Sequence, residues 1–153
     1  MQVEFEVLTD TLMHISEVSE NISRMITDLK ARALSHDRSK LEAFEFDAFV
    51  QTRPKFKLAN YGTPEYQECV DMIKPSIDHH YLVNRHHTGF YSDGFAGMNL
   101  LDILEMIADW VAAARRSPDL TFRESLPRAY QKYSIPENMQ KHIEATLMYL
   151  GWV

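Results

Sequence analysis

Residues 8–40 read LTDTLMHISEVSENISRMITDLKARALSHDRSK. Apolar residues return at Leu8, Leu12, Ile15, Ile22, Ile26 and Leu29, the alternation of three and four that lines one face of an α-helix. This spacing predicts a helix over 9–34, broken by Ser35 to Ser39. At the break His36 and Asp37 stand side by side. Neighbouring side chains on a helix or strand point in different directions. An imidazole and a carboxylate set together where a helix runs out therefore raise the question of a shared metal ion.

The rest of the chain is also patterned as helix. A short second helix is expected over 40–50, followed by a loop in QTRPKFKLANYG (51–62) with its Pro, Asn and Gly. In TPEY (63–66), Thr63 is a helix N-cap, Pro64 takes the first helical position and Glu65 the first turn. That helix is expected to run towards His87, with a kink or break at Pro75. TGFYSDGFAG (88–97) reads as loop. NLLDILEMIADWVAAA (99–114) reads as an apolar helix capped by Asn99, ending at the basic pair Arg115–Arg116. Thr121 with Glu124, and Ser134 with Glu137, are expected capping boxes of two final helices, with Gly151 near the stop. VEFEV (3–7) alternates but is short, so it is an extended or helical lead-in. The expected fold is all-α, about six helices, in one domain over 1–153.

Composition narrows the partners. Of 153 residues 45% are hydrophobic and 11% aromatic, which fits a globular chain with one core. A net charge of −6 argues against a long nucleic acid as ligand, whereas a small phosphorylated ligand needs only a local positive site. The single cysteine, Cys69, excludes an intrachain disulfide and a thiolate-rich metal site, and suits a reducing cytoplasm. MQVEFEVLTD has no basic leader and nothing reaches membrane-spanning length, so a soluble cytoplasmic protein with no membrane partner is expected. The apolar IEATLMYLGWV (143–153) packs either in the core or against a second subunit, which leaves a homo-oligomer open.

Four of the seven histidines fall in DHHYLVNRHH (78–87). On a continuous helix His80, Asn84 and His87 lie within about 60° of one another, and His79 and His86 form a second pair on another face. Asp102, Glu105 and Asp109 share one side of the apolar helix. Buried carboxylates need water, a cation or a metal. His14 sits at the edge of the first helix's apolar stripe. Each signal also has a plain structural reading: a boundary histidine, a helix cap at Asp37, a solvated acidic face, a pH-sensitive histidine patch. Taken together they are imidazole and carboxylate donors without thiolate, which suit Fe, Mn, Co, Ni or Zn.

The ordered set His14, His36-Asp37 and Asp109, the last in IADWVAAA, resembles the HD-domain superfamily of metal-dependent phosphohydrolases. HDRSK, HHYLVNRHH and EMIADW together also resemble a smaller, functionally uncharacterised HD-like family of bacteria and phages, over roughly residues 10–115. The resemblance implies a compact helical bundle with one or two divalent transition metals between helices, held by His14, His36, Asp37, His80, His87 and Asp109. It implies hydrolysis of a small phosphorylated substrate, foremost a nucleotide, by metal-activated water. Asp37 would bridge two ions, Arg38, Lys40 and Arg85 would hold phosphate or stand as plain surface charges, and Glu105 would orient a ligand histidine or pair with a basic residue. Tyr81, Phe90, Tyr91 and Trp110 are candidates to pack a flat group, against the commoner role of such aromatics in the core, and 88–97 is a candidate lid or specificity loop. The pattern departs where RSK follows the doublet, a place at which many nucleotidases carry a water-activating acid; Glu42 and Glu45 are the nearest here. The same ligand set occurs in HD-type di-iron oxygenases, and a non-catalytic metal- or nucleotide-binding module also fits.

Overall fold

The computed structural model describes residues 1–60, 62–115 and 122–153. They form α1 (Gln2–Ser35), α2 (Ala43–Phe56), α3 (Pro64–Val83), α4 (Leu100–Ala114), α5 (Phe122–Lys132) and α6 (Glu137–Tyr149). Short 3₁₀ turns lie at Arg38–Leu41, Thr88–Phe90 and Gly94–Gly97, and no strand occurs among the described residues. The expected all-α class and helix number hold. Contacts divide the chain into two units, residues 1–35 and 36–153.

The first unit is α1, a helix of 34 residues with none buried. It takes in VEFEV, so the lead-in is helical. Arg24 pairs with Glu20 one turn earlier at 2.9 Å, an exposed pair that contributes little.

In the second unit α4, α5 and α6 build the apolar core. Ile103, Met106, Ile107 and Val111 of α4 pack with Leu126, Tyr130, Ile143 and Leu147, and Phe95, Met98 and Ile135 close it from the connections. Leu147 is fully buried, worth about 1.5–3 kcal/mol over an exposed leucine. The C-terminal segment divides: Ile143 and Leu147 are core, while Met148 and Tyr149 are exposed. Asn99 caps α4 in a full capping box, accepting from the Leu101 and Asp102 amides, while Asp102 accepts from the Asn99 amide at 2.9 Å.

Four expectations are corrected. α2 starts after the 3₁₀ turn and runs six residues past 50, through Pro54, into the expected loop. Thr52 is buried and the Phe56 ring meets Tyr66 edge-on at 5.3 Å, so packing against α3 outweighs the missing proline N–H. α3 has the Thr63 cap and Pro64 at its start, but it continues through Pro75 without a break. It stops at Val83, because Asn84 turns extended and its side-chain amide takes the His80 carbonyl at 2.8 Å. Ser134 does not cap α6. It adopts φ 52 to close α5, the Ile135 amide reaching the Tyr130 carbonyl at 2.9 Å, and Pro136 precedes α6. The Thr121 end of the other expected box, and Arg116, lie outside the described residues. Among those described, no helix is long and apolar enough to cross a membrane.

Candidate metal centre

The centre begins at the doublet. Asp37 has φ 57, in the left-handed region that aspartate tolerates better than most residues. That turn lets two consecutive side chains converge: His36 Nε2 lies 3.6 Å from Asp37 Oδ2. The left-handed residue answers the question the sequence poses, since a regular helix would have splayed the pair.

The two oxygens of Asp37 face different partners. Oδ1 lies 3.1 Å from His80 Nε2 and 3.4 Å from His86 Nε2. Oδ2 lies 2.5 Å from Lys40 Nζ, on the His36 side. Asp37 Oδ1 and the Nε2 atoms of His80, His86 and His87 are all buried without a directed hydrogen-bond partner. One atom from each of Asp37, His80, His86 and His87 falls within 4.8 Å of the others, a donor set able to hold one cation. A second such group is His36, Asp37 and Asp109, with His36 Nε2 also 3.6 Å from Asp109 Oδ1. Asp37 belongs to both.

Carboxylates behind the imidazoles fix which nitrogen faces inward. Glu45, fully buried on α2, lies 3.0 Å from His80 Nδ1 and 2.8 Å from His79 Nδ1. Ser39 donates to the same Glu45 carboxylate at 3.1 Å, and the Asn84 amide donates to Ser39 at 2.8 Å. Glu105 Oε1 on α4 lies 3.0 Å from His36 Nδ1 and 3.4 Å from His86 Nδ1. With protons on the Nδ1 atoms, the Nε2 lone pairs of His80 and His86 confront a carboxylate oxygen at close range. Such a cluster of acceptors requires a positive charge among them, a proton or a metal ion. The grouping of His36, His86 and Glu105 is therefore the orienting set, its atoms engaged with one another.

Electrostatics agree. Hydrogen bonds to Asp109 and Glu105 push His36 up to about 10 against its burial. Burial would raise the Asp37 carboxyl, but the closeness of the His80 and His86 imidazoles and of the Lys40 ammonium outweighs it and holds the group far below the usual carboxylate range. His87 is pushed down to about 3 by burial and by its neighbours His86 and His80, so it is a neutral imidazole, the form that ligates.

Of the residues the sequence singled out, His36, Asp37, His80, His87 and Asp109 come together. His14 is exposed on α1 and belongs to none of the three groups. The helical-wheel pairing is corrected: His86 and His87 follow the end of α3, so His86 joins His80 and His87, while His79 is held outside on Glu45. Arg85 is engaged elsewhere, its Nε 3.1 Å from the fully buried Asp102, which also accepts from Tyr91 Oη at 2.6 Å. Phe90 and Tyr91 take the Arg85 guanidinium on their rings at 5.4 and 5.7 Å. Arg38 is exposed. Glu105 meets the Nδ1 atoms of His36 and His86, an arrangement that would orient both rings. The three acids of α4 thus have three settings: Asp102 caps and pairs, Glu105 meets the two imidazoles, Asp109 faces the second group.

Sequence reasoning missed Glu45 as a buried orienting carboxylate; its signal was its place between Phe44 and Phe46, an acid inside an apolar run. Lys132 was missed too. Its Nζ stands 5.7 Å from the Tyr81 ring, which lies 4.4 Å from the His87 ring. Beside it opens a cavity of about 350 Å³, lined by Trp110, Phe122, Ser125, Arg128, Lys132 and Tyr133 among others. Trp110, next to Asp109, stacks on Tyr133 at 5.4 Å.

No curated protein and no solved structure matches the chain. A family model does, over residues 3–149, and the chain belongs to that family of unknown function, DUF5662.

Proposed function

We propose that the chain is a metal-dependent phosphohydrolase of the HD type, acting on a small phosphorylated molecule, foremost a nucleotide. The observation that carries this reading is the ring of buried, unbonded atoms about Asp37: its Oδ1 and the Nε2 atoms of His80, His86 and His87. The resemblance of the doublet and of IADWVAAA to the HD superfamily supports it, as does the convergence of His36, Asp37, His80, His87 and Asp109.

His80, His86, His87 and Asp37 would hold one divalent cation, and His36, Asp37 and Asp109 a second, with Asp37 common to both. Such ions supply Lewis acidity and lower the pKa of a water at the centre. Glu45 and Glu105 hold the imidazoles in the ligating tautomer. Lys40 lies against Asp37 with its side chain 38% exposed, so N–H groups not spent on Asp37 can meet an incoming phosphoryl oxygen. Arg85 serves as a strut to Asp102 rather than as a phosphate clamp. The cavity beside Trp110 and Tyr133, with Arg128 and Lys132 on its wall, suits a flat group bearing negative charge, which supports a nucleotide.

The test is phosphate release by metal-stripped protein resupplied with Mn, Co, Ni, Fe or Zn, across nucleoside and sugar phosphates. Turnover that needs a metal and is lost in Asp37→Ala is expected. Oxygen-dependent turnover with iron supports the di-iron oxygenase instead. Nucleotide binding without product under every metal supports a non-catalytic module.

A further inference from the structure

In the unit that α1 forms, none of its residues is buried. Two series of positions seven residues apart run along almost the whole helix and are apolar at all but one member, while Val3, Val7, Met13 and Leu34 lie outside them. Phe5, Leu12, Ser19, Ile26 and Ala33 occupy one core position of the heptad, and Met1, Leu8, Ile15, Ile22 and Leu29 the other. Ser19 is the single polar member. Phe5 is 70% exposed, and Leu12, Ile15, Ile22 and Ile26 lie between 46% and 57%. A heptad stripe drifts about 20° per repeat around a straight helix, roughly 90° over this length. Another helix that winds with it covers such a stripe; a globular face does not.

Charge sets the orientation. Residues 1–18 carry Glu4, Glu6, Asp10 and Glu17 and no Lys or Arg, whereas 19–35 carry Arg24, Lys30 and Arg32 against Glu20 and Asp28. Two copies side by side in parallel set acid against acid; two antiparallel copies set the acidic half against the basic half. In the antiparallel register Phe5 faces the partner's Leu29, Leu12 the partner's Ile22, and Ser19 the partner's Ile15. Glu4 and Arg32 occupy the same flanking position and come together across the seam at both ends, Arg32 also pairing with Asp28 of its own helix, and Val18 meets its own copy on the two-fold axis. A parallel register pairs Glu4 with Thr9, Thr11 with Ser16, Val18 with Ser23 and Met25 with Lys30, none an ion pair. We propose that α1 is a dimerisation element, forming an antiparallel two-stranded coiled coil with α1 of a second copy of this chain.

Sedimentation of the full chain tests this. The unaltered protein and Asp10→Ala, a change outside the seam, should run as dimers at twice the 17.8 kDa chain mass. Ile22→Glu should run as a monomer in which residues 36–153 melt as before, and Ser19→Leu should bind its copy more tightly. A monomeric parent, a dimeric Ile22→Glu, or a Ser19→Leu dimer no tighter than the parent would each overturn the proposal. Spin labels at residue 3 in a Cys69→Ala background separate the orientations. Antiparallel helices put them about 42 Å apart along the axis, at 1.5 Å per residue. A separation near the interaxial distance of about 10 Å overturns the antiparallel arrangement.

Discussion

Replacing Glu105 by glutamine probes the centre from behind its ligands. A single oxygen, Glu105 Oε1, lies 3.0 Å from His36 Nδ1 and 3.4 Å from His86 Nδ1, so one carboxylate orients one imidazole of each donor group. Losing such a partner costs about 10–100-fold in metal affinity, or about 1.4–2.8 kcal/mol. Glu105→Gln should therefore weaken both sites, each by about tenfold or more. Glu45 is the internal contrast. Besides Ser39 it reaches His80 at 3.0 Å and His79, which belongs to no donor group, so Glu45→Gln should weaken only the site that contains His80. Glu45 is fully buried, and a glutamine there strands a donor, so that variant also loses about 1–3 kcal/mol of stability. Competition against a chromophoric chelator, fitted with two sites, reads both affinities. Unchanged affinities in Glu105→Gln, or a loss confined to one site, would refute the reasoning.

Arg85→Ala should lower stability while leaving metal content intact. Asp102 keeps its Tyr91 and Asn99 hydrogen bonds, and Arg85 is 48% exposed, so screening holds the loss to about 1 kcal/mol in a denaturant melt. Gly97→Ala puts a Cβ 2.8 Å from Tyr91 Cβ, and overpacking there should cost about 1–3 kcal/mol in the same assay. His36, pushed up to about 10 by Asp109 and Glu105, is a cation at neutral pH. Ion uptake at its site must release a proton, so affinity should rise with pH towards that value, as calorimetry in buffers of different ionisation enthalpy will read. In the ion-free protein, the raised pKa contributes stability that is full below about 6.5 and lost as pH rises through about 10, so a metal-stripped sample should melt lower at high pH.

The helical class, the Thr63 and Asn99 caps and most of the donor set were legible because they rest on local signals: periodicity, capping chemistry and residue type. His86 was not, because the wheel assumed a helix continuing to 87, and the stop at Asn84 is made by that side chain on the His80 carbonyl together with its contact to Ser39. Arg85 looked free because its partner, Asp102, is seventeen residues on, and only the fold brings the two together. Pro54 and Pro75 read as breakers from propensity, and packing between α2 and α3 overrides both. Glu45 carried a weak signal, an acid between phenylalanines, whose meaning depends on which histidines α3 sets opposite it.

The central claim is that Asp37 belongs to two cation sites at once. Elemental analysis of protein reconstituted with Mn or Co, beside Asp37→Ala, tests it most directly. Two ions per chain in the parent and loss from both sites in the variant are predicted; an Asp37→Ala protein that holds as much metal as the parent would contradict it.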